Sequence, residues 1–172
     1  LGRLLSFLEE DFGFEDLTVV FSGGRGYHVH VRDDAVRALD STARREIVDY
    51  VRAIDLDADG LIRTVADRGT TKRVLETAGG WGARVHEALV QHAHDLRSMD
   101  ETAARDRLME LDGIGEGRAK TILGAFERNP EAVREGNVEA GGPGVRRLVG
   151  ALVSQVTATE TAPIDEPVTT DT

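Results

Sequence analysis

The sequence runs to 172 residues with no cysteine, 31 acidic against 21 basic side chains, and a formal net charge of −10. That length suits one or two domains; without Cys there is no disulfide or thiolate metal site, and the compartment reads as cytoplasmic. Only Lys72 and Lys120 are lysines, a surface that argues against generic coating of nucleic acid and suits strong salt, where at about 1 M the Debye length is only ~3 Å.

No apolar run is long enough to span a bilayer, and no signal-peptide pattern opens the chain. It begins at Leu1 and stops after "EPVTTDT" with no terminating element, so it reads as a fragment of something longer. In chain order, Leu1, Leu4, Leu5 and Leu8 recur at helical spacing, which predicts an amphipathic helix over 1–10. "LTVVF" (17–21) and "YHVHVR" (27–32) predict two strands joined by a glycine turn. Ser41 is the expected N-cap of a helix whose buried stripe is Ile47, Val48, Val51 and Ile54. From about 56 to 154 the chain is expected to be mostly helical, broken at "TAGGWG", "LDGIGEG", "ERNP" and "GNVEAGGPG". Pro130 and Pro143 sit where a first helical turn tolerates them. The Thr- and Pro-rich tail, 156–172, reads as an extended strand or a loose end.

The glycine turn carries the chemistry. Strand alternation puts Tyr27, Val29 and Val31 on one face, expected in the core, and His28, His30 and Arg32 on the other. Ser22, Gly23 and Gly24 add a hydroxyl and unencumbered amides beside Arg25. Amides in a nest, a guanidinium fork and an imidazole form an anion-binding set. A plain hairpin with a polar outer face fits the spacing equally well.

"FSGGRGYHVHV" resembles the serine–glycine–x–arginine–glycine–x–histidine signature of the small catalytic subunit of archaeal and eukaryotic DNA primases. The resemblance continues through "RDDAVRALDSTARREIVDYV" and returns at "PIDEPVTTDT", and the acidic, Lys-poor composition looks haloarchaeal. By that resemblance Ser22, Arg25 and His28 would bind the phosphates of the incoming nucleotide. Asp165 would match the third metal-binding carboxylate of the family, and no role passes to Gly24 or His30. The family's Asp–x–Asp pair finds no match before residue 17, and the basic segment expected after Asp171 is also missing.

Other candidates are weaker. "DLDADG" (55–60) imitates a calcium loop, but the twelfth position, which needs a bidentate Glu, is Ala66. His86, His92 and His94 do not share one helix face, so no metal is assigned to them, and no zinc site is evident. "LMELDGIGEGRAKTIL" (108–123) resembles a helix–hairpin–helix element. Gly113, Gly115 and Gly117 would let amides face a DNA phosphate, followed by Arg118 and Lys120, unless the turn is merely a helical hairpin plugged by Ile114.

The resemblance therefore implies an α/β (α+β) fold, a primase catalytic core carrying a helical insertion. Residues 1–54 would be core, 55–154 the helical subdomain, and 155–172 a return to the core. It also implies a DNA-directed RNA polymerase that makes primers with two divalent ions, Mg2+ or Mn2+, inactive as this fragment alone. The implied partners are a DNA template, nucleoside triphosphates and a large primase subunit, with no membrane. Two alternatives remain: a non-catalytic helix–hairpin–helix DNA-binding module, and the polymerase module of bacterial end-joining ligases.

Overall fold

The computed structural model describes residues 1–24, 26–140 and 142–161. The fold is mixed helix and strand, and the chain divides into two units, one of Leu1–Ile54 with the chain from Thr157 onward, the other of Asp55–Val156.

The first unit opens with α1 (Gly2–Ser6), which runs into a π-helical turn over Phe7–Asp11. Phe7 and Leu8 are buried there, and with Phe14 they make a small core. Tyr50 closes it: its ring meets Phe7 and Phe12 edge-on at 6.3 and 5.1 Å, and its hydroxyl donates to Asp11 Oδ2 at 3.0 Å. Strands β1 (Leu17–Phe21) and β2 (Tyr27–Val31) form an antiparallel hairpin. Its register pairs Leu17 with Val31, Val19 with Val29 and Phe21 with Tyr27, so these six share a face, as the alternation requires. That face is not in a core: Val19, Phe21 and Tyr27 are exposed. A two-stranded sheet has no second layer of its own to bury an apolar face against.

After a short α2 (Asp34–Arg37), α3 (Ser41–Val51) starts one residue earlier in its capping than expected. The cap is Asp40, whose carboxylate accepts from the Ala43 N–H at 2.8 Å; Ser41 is already helical. Ile47 and Val51 are only half-buried and Val48 and Ile54 are exposed, so the expected buried stripe is a partly bare one.

The second unit holds a hairpin that helical expectation missed. Strands β3 (Ile62–Asp67) and β4 (Thr70–Leu75) pair antiparallel around a two-residue turn in which Arg68 (φ 49°) and Gly69 (φ 87°) both take left-handed backbone. Residues 136–138 add to β4 through Leu75 N–H to Gly136 O and Val138 N–H to Arg73 O. The helices α4 (Gly80–Ser98), α5 (Glu101–Met109), α6 (Glu116–Arg128), α7 (Pro130–Arg134) and α8 (Pro143–Thr161) follow. Their apolar faces bury Trp81, Val85, Leu89, Leu108, Ile122 and Leu148 at 2% exposure or less. Helix α8 continues through the expected strand or loose end at 156–161. Within the first unit, Arg3 donates to Thr159 O and lies 3.9 Å from Glu160. No described helix is long and apolar enough to cross a membrane.

Candidate functional site

At the closed end of the first hairpin, Phe21 pairs with Tyr27 and the chain turns through Ser22–Gly26. Ser22 braces this turn twice: its N–H and its hydroxyl both donate to Gly26 O, at 2.9 and 2.8 Å. Gly23 takes φ 81°, backbone that a side chain would strain, and a Cβ at Gly23 or Gly24 would meet nothing within 4 Å. The turn is thus an open backbone surface. His28 stands one residue into β2, opposite Val20, and is exposed, as is His30 opposite Thr18. Ser22 and His28 come to the same end of the hairpin; Arg25 and Asp165 lie outside the described residues. With the Ser22 hydroxyl hydrogen committed to Gly26 O, only the oxygen lone pairs remain, and those accept rather than donate.

A second candidate lies in the second unit. Helices α5 and α6 join through Glu110–Gly115, where Gly113 takes φ 73° and Ile114 is buried at 4% exposure as the plug of the turn. Gly115 caps α6 without a side-chain bond, and a Cβ on Gly115 or Gly117 would meet nothing within 4 Å. Arg118 Nη1 donates to Gly113 O at 2.9 Å, and Lys120 is exposed. Gly113, Gly115, Gly117 and Arg118 therefore share one turn, with Lys120 less than a full helical turn further along.

The dismissed candidates resolve into structure. In the calcium-like segment Asp57 Oδ1 accepts from the Gly60 N–H at 2.7 Å. Asp59 instead ties Arg146 and Arg73, and the hydrogen bond from Arg146 holds its carboxyl below the usual range. His86 Nε2 meets Arg134 O at 2.6 Å, while His92 Nε2 is buried with no hydrogen-bond partner. Burial, and then the nearby Arg107 charge, push the His92 pKa down against an opposing pull from Asp95. Among the described residues no group of three or more His, Cys, Asp or Glu side chains is placed to hold a metal.

The model of the DNA primase small subunit matches residues 2–172. The chain belongs to the DNA primase small subunit family. It is 81% identical over 172 residues to the DNA primase small subunit PriS of Halorubrum lacusprofundi, covering all of this chain and 44% of that protein. It is 51% identical over 179 residues to the same subunit of Haloarcula marismortui, covering all of this chain and 45% of that protein. It is 35% identical over 184 residues to that of Methanothrix thermoacetophila, covering 98% of this chain and 47% of the relative. The chain thus spans less than half the length of these curated relatives. No solved structure matches.

Proposed function

We propose that the complete subunit to which this segment belongs synthesises short RNA primers on a DNA template, and that this segment supplies its nucleotide-phosphate seat and a DNA contact. The observation that carries the reading is the Ser22–Gly26 turn: an open glycine backbone, braced by Ser22 and flanked by an exposed His28, in a chain that matches the family model almost end to end. In this reading the turn amides and Arg25 hold the triphosphate, His28 adds a further donor, and charge neutralisation is the main service of the protein. Template DNA, nucleoside triphosphates and a large primase subunit are the partners, and the compartment is the cytoplasm.

Divalent ions, Mg2+ or Mn2+, accompany this chemistry by aligning the attacking and leaving oxygens. Among the described residues no cluster of three ligands would hold such ions. Asp165 is proposed as one ligand on the strength of the motif alone. The domain reading is likewise proposed: 1–54 and 155–172 as catalytic core, 55–154 as an inserted subdomain. In that subdomain Gly113, Gly115, Gly117, Arg118 and Lys120 are proposed to meet the backbone of duplex DNA.

Loss of a charge-assisted contact costs about 1.5–3 kcal/mol. Arg25→Ala in the complete subunit is therefore expected to raise the nucleotide KM or lower turnover by about one to two decades. Steady-state primer synthesis against nucleotide concentration measures it, and unchanged kinetics would overturn the assignment.

A further inference from the structure

We propose that Arg147 of α8, 35 residues from Asp112 in sequence, completes a two-guanidinium seat for a DNA phosphodiester on the α5–α6 turn. The proposal rests on the reading of that turn as a DNA contact and adds to it a residue from a different helix.

The placement is set by backbone. A Cβ on Gly144, near the start of α8, would lie 3.1 Å from Ile122 Cγ1 and 3.5 Å from Arg118 O, so α8 crosses close over α6. One turn further on, Arg147 reaches the hairpin. A Cβ on Gly113 would stand 2.1 Å from Arg147 Nη2, so the guanidinium lies on the α-carbon itself, over a residue that the turn already requires at φ 73°. Arg118 approaches the same residue from the carbonyl side, donating to Gly113 O. Two guanidinium groups thus converge on one glycine.

Little neutralises them. Arg147 pairs with the fully exposed carboxylate of Asp112 at 3.4 Å, while the Arg147 side chain itself is half exposed. Glu110, the other acid of the turn, is engaged by Arg107 at 2.5 Å. A long pair with a solvated carboxylate is weakly held, so a phosphate can take its place in the fork geometry that guanidinium groups favour. The adjacent Arg146 provides the contrast. It points the other way, onto Asp59, where it belongs to the fastening of β3–β4 and α8. Two consecutive arginines on one helix are thus divided between a structural pair and an open one.

The experiment measures binding of a labelled blunt 20-base-pair DNA duplex to the complete subunit over a range of salt concentrations, with circular dichroism confirming the fold of each variant. Each phosphate contact contributes about 0.9 to the slope of log affinity on log salt. Arg147→Ala is expected to lower that slope by about 0.9, which is roughly a threefold loss at about 0.3 M salt. Arg146→Ala should leave the slope unchanged, and Arg147→Lys should restore most of it. Asp112→Asn should tighten binding, because it releases Arg147 and removes a repelling charge; a purely structural Asp112–Arg147 pair predicts instead that both variants lose stability and neither changes the slope. An unchanged slope in Arg147→Ala, with binding weakened by Gly115→Val combined with Lys120→Glu, would overturn this proposal and leave the hairpin reading standing. Silence in that double variant as well would remove the hairpin reading itself. Displacement of the duplex by inorganic phosphate at matched ionic strength would make this a seat for the free ion and overturn the DNA assignment.

Discussion

Among the described residues the first unit buries only Phe7, Leu8 and Phe14 at its heart, whereas the second packs Trp81, Leu89, Leu108, Ile122, Leu148 and a surrounding set of aliphatics to near-zero exposure. The exposed large apolar side chains show the reverse. Leu1, Leu4, Val19, Val20, Phe21, Tyr27, Val48 and Ile54 are bare in the first unit, against Met99 and Met109 in the second. The unit that carries the proposed phosphate seat is thus the one whose described residues leave apolar faces bare. Polar chemistry is not the cause, because the bare residues are aliphatic and aromatic ones on β1, β2, α3 and the segments beside them. Their faces have the composition of a core without the second layer a core needs. The helical unit, by contrast, closes on itself and presents its candidate contact on an outer turn.

The contrast makes its largest prediction about stability. Trp81 is the single tryptophan and is 2% exposed, so its fluorescence reports the second unit. Leu148→Ala removes a side chain with no exposed area, and large-to-small changes of this kind cost about 2–5 kcal/mol. Its Trp81 unfolding midpoint in urea should fall accordingly. Val19→Thr, at a side chain 39% exposed on the apolar face of the hairpin, should change the stability of this chain by no more than about 0.5 kcal/mol. A large cost for Val19→Thr would break the comparison, for it would mean that this face is already packed.

How much of this was legible beforehand follows the same division. The β1–β2 register and the α5–α6 turn were readable because each is written locally: strict alternation in one case, glycines around a single plug in the other. The burial of β2 was not, since alternation tells which residues share a face and nothing of what lies opposite. The β3–β4 hairpin was missed although "DRGT" is a short turn signal, because Arg63, Lys72 and Arg73 blurred the alternation of its strands. Those charges are there to pair: Arg63 with Glu76, Lys72 with Glu135, Arg73 with Asp59. Asp40 and Ser41 are both good caps, and only the hydrogen bond to Ala43 tells them apart. The extension of α8 through a Thr-rich stretch has weak local propensity, and contacts from Arg3 accompany it. Arg147 carried no signal, since a helix crossing brings it to Gly113 and no local pattern records that.

Caps offer a test of intermediate size with equal chemistry in each unit. Asp100 accepts from Thr102 and Ala103 at the start of α5, and Asp40 accepts from Ala43 at the start of α3. Replacing a capping carboxylate by Ala typically costs ~1 kcal/mol. Asp100→Ala should lower the Trp81 midpoint by that amount. Asp40→Ala should leave it unmoved and appear as faster amide exchange in α3. Equal shifts of the Trp81 midpoint from both variants would show the two units unfolding as one.

The smallest expected effect sharpens the comparison by pH. The first unit exposes His28 and His30, whereas the second half-buries His92 with an unpartnered Nε2. Burial, reinforced by the Arg107 charge, holds the folded pKa of His92 below its ordinary value of 6.5. An unfolded chain would then bind a proton at pH values where the folded one does not, and stability rises with pH wherever the unfolded state binds more protons. The contribution of His92 is therefore fully present above about pH 6.5 and is lost progressively as pH falls from there through the depressed folded value. Below that value both states carry the proton and this group adds no further slope. His92→Leu should flatten that part of the Trp81 stability profile, since leucine has no proton to gain and its apolar body suits the buried surroundings. The measurement is the urea midpoint from pH 7.5 down to 5 for the parent chain and the variant. Parallel profiles would show that His92 opens to water before it takes up its proton, and that the second unit is looser around α4 than its packing implies.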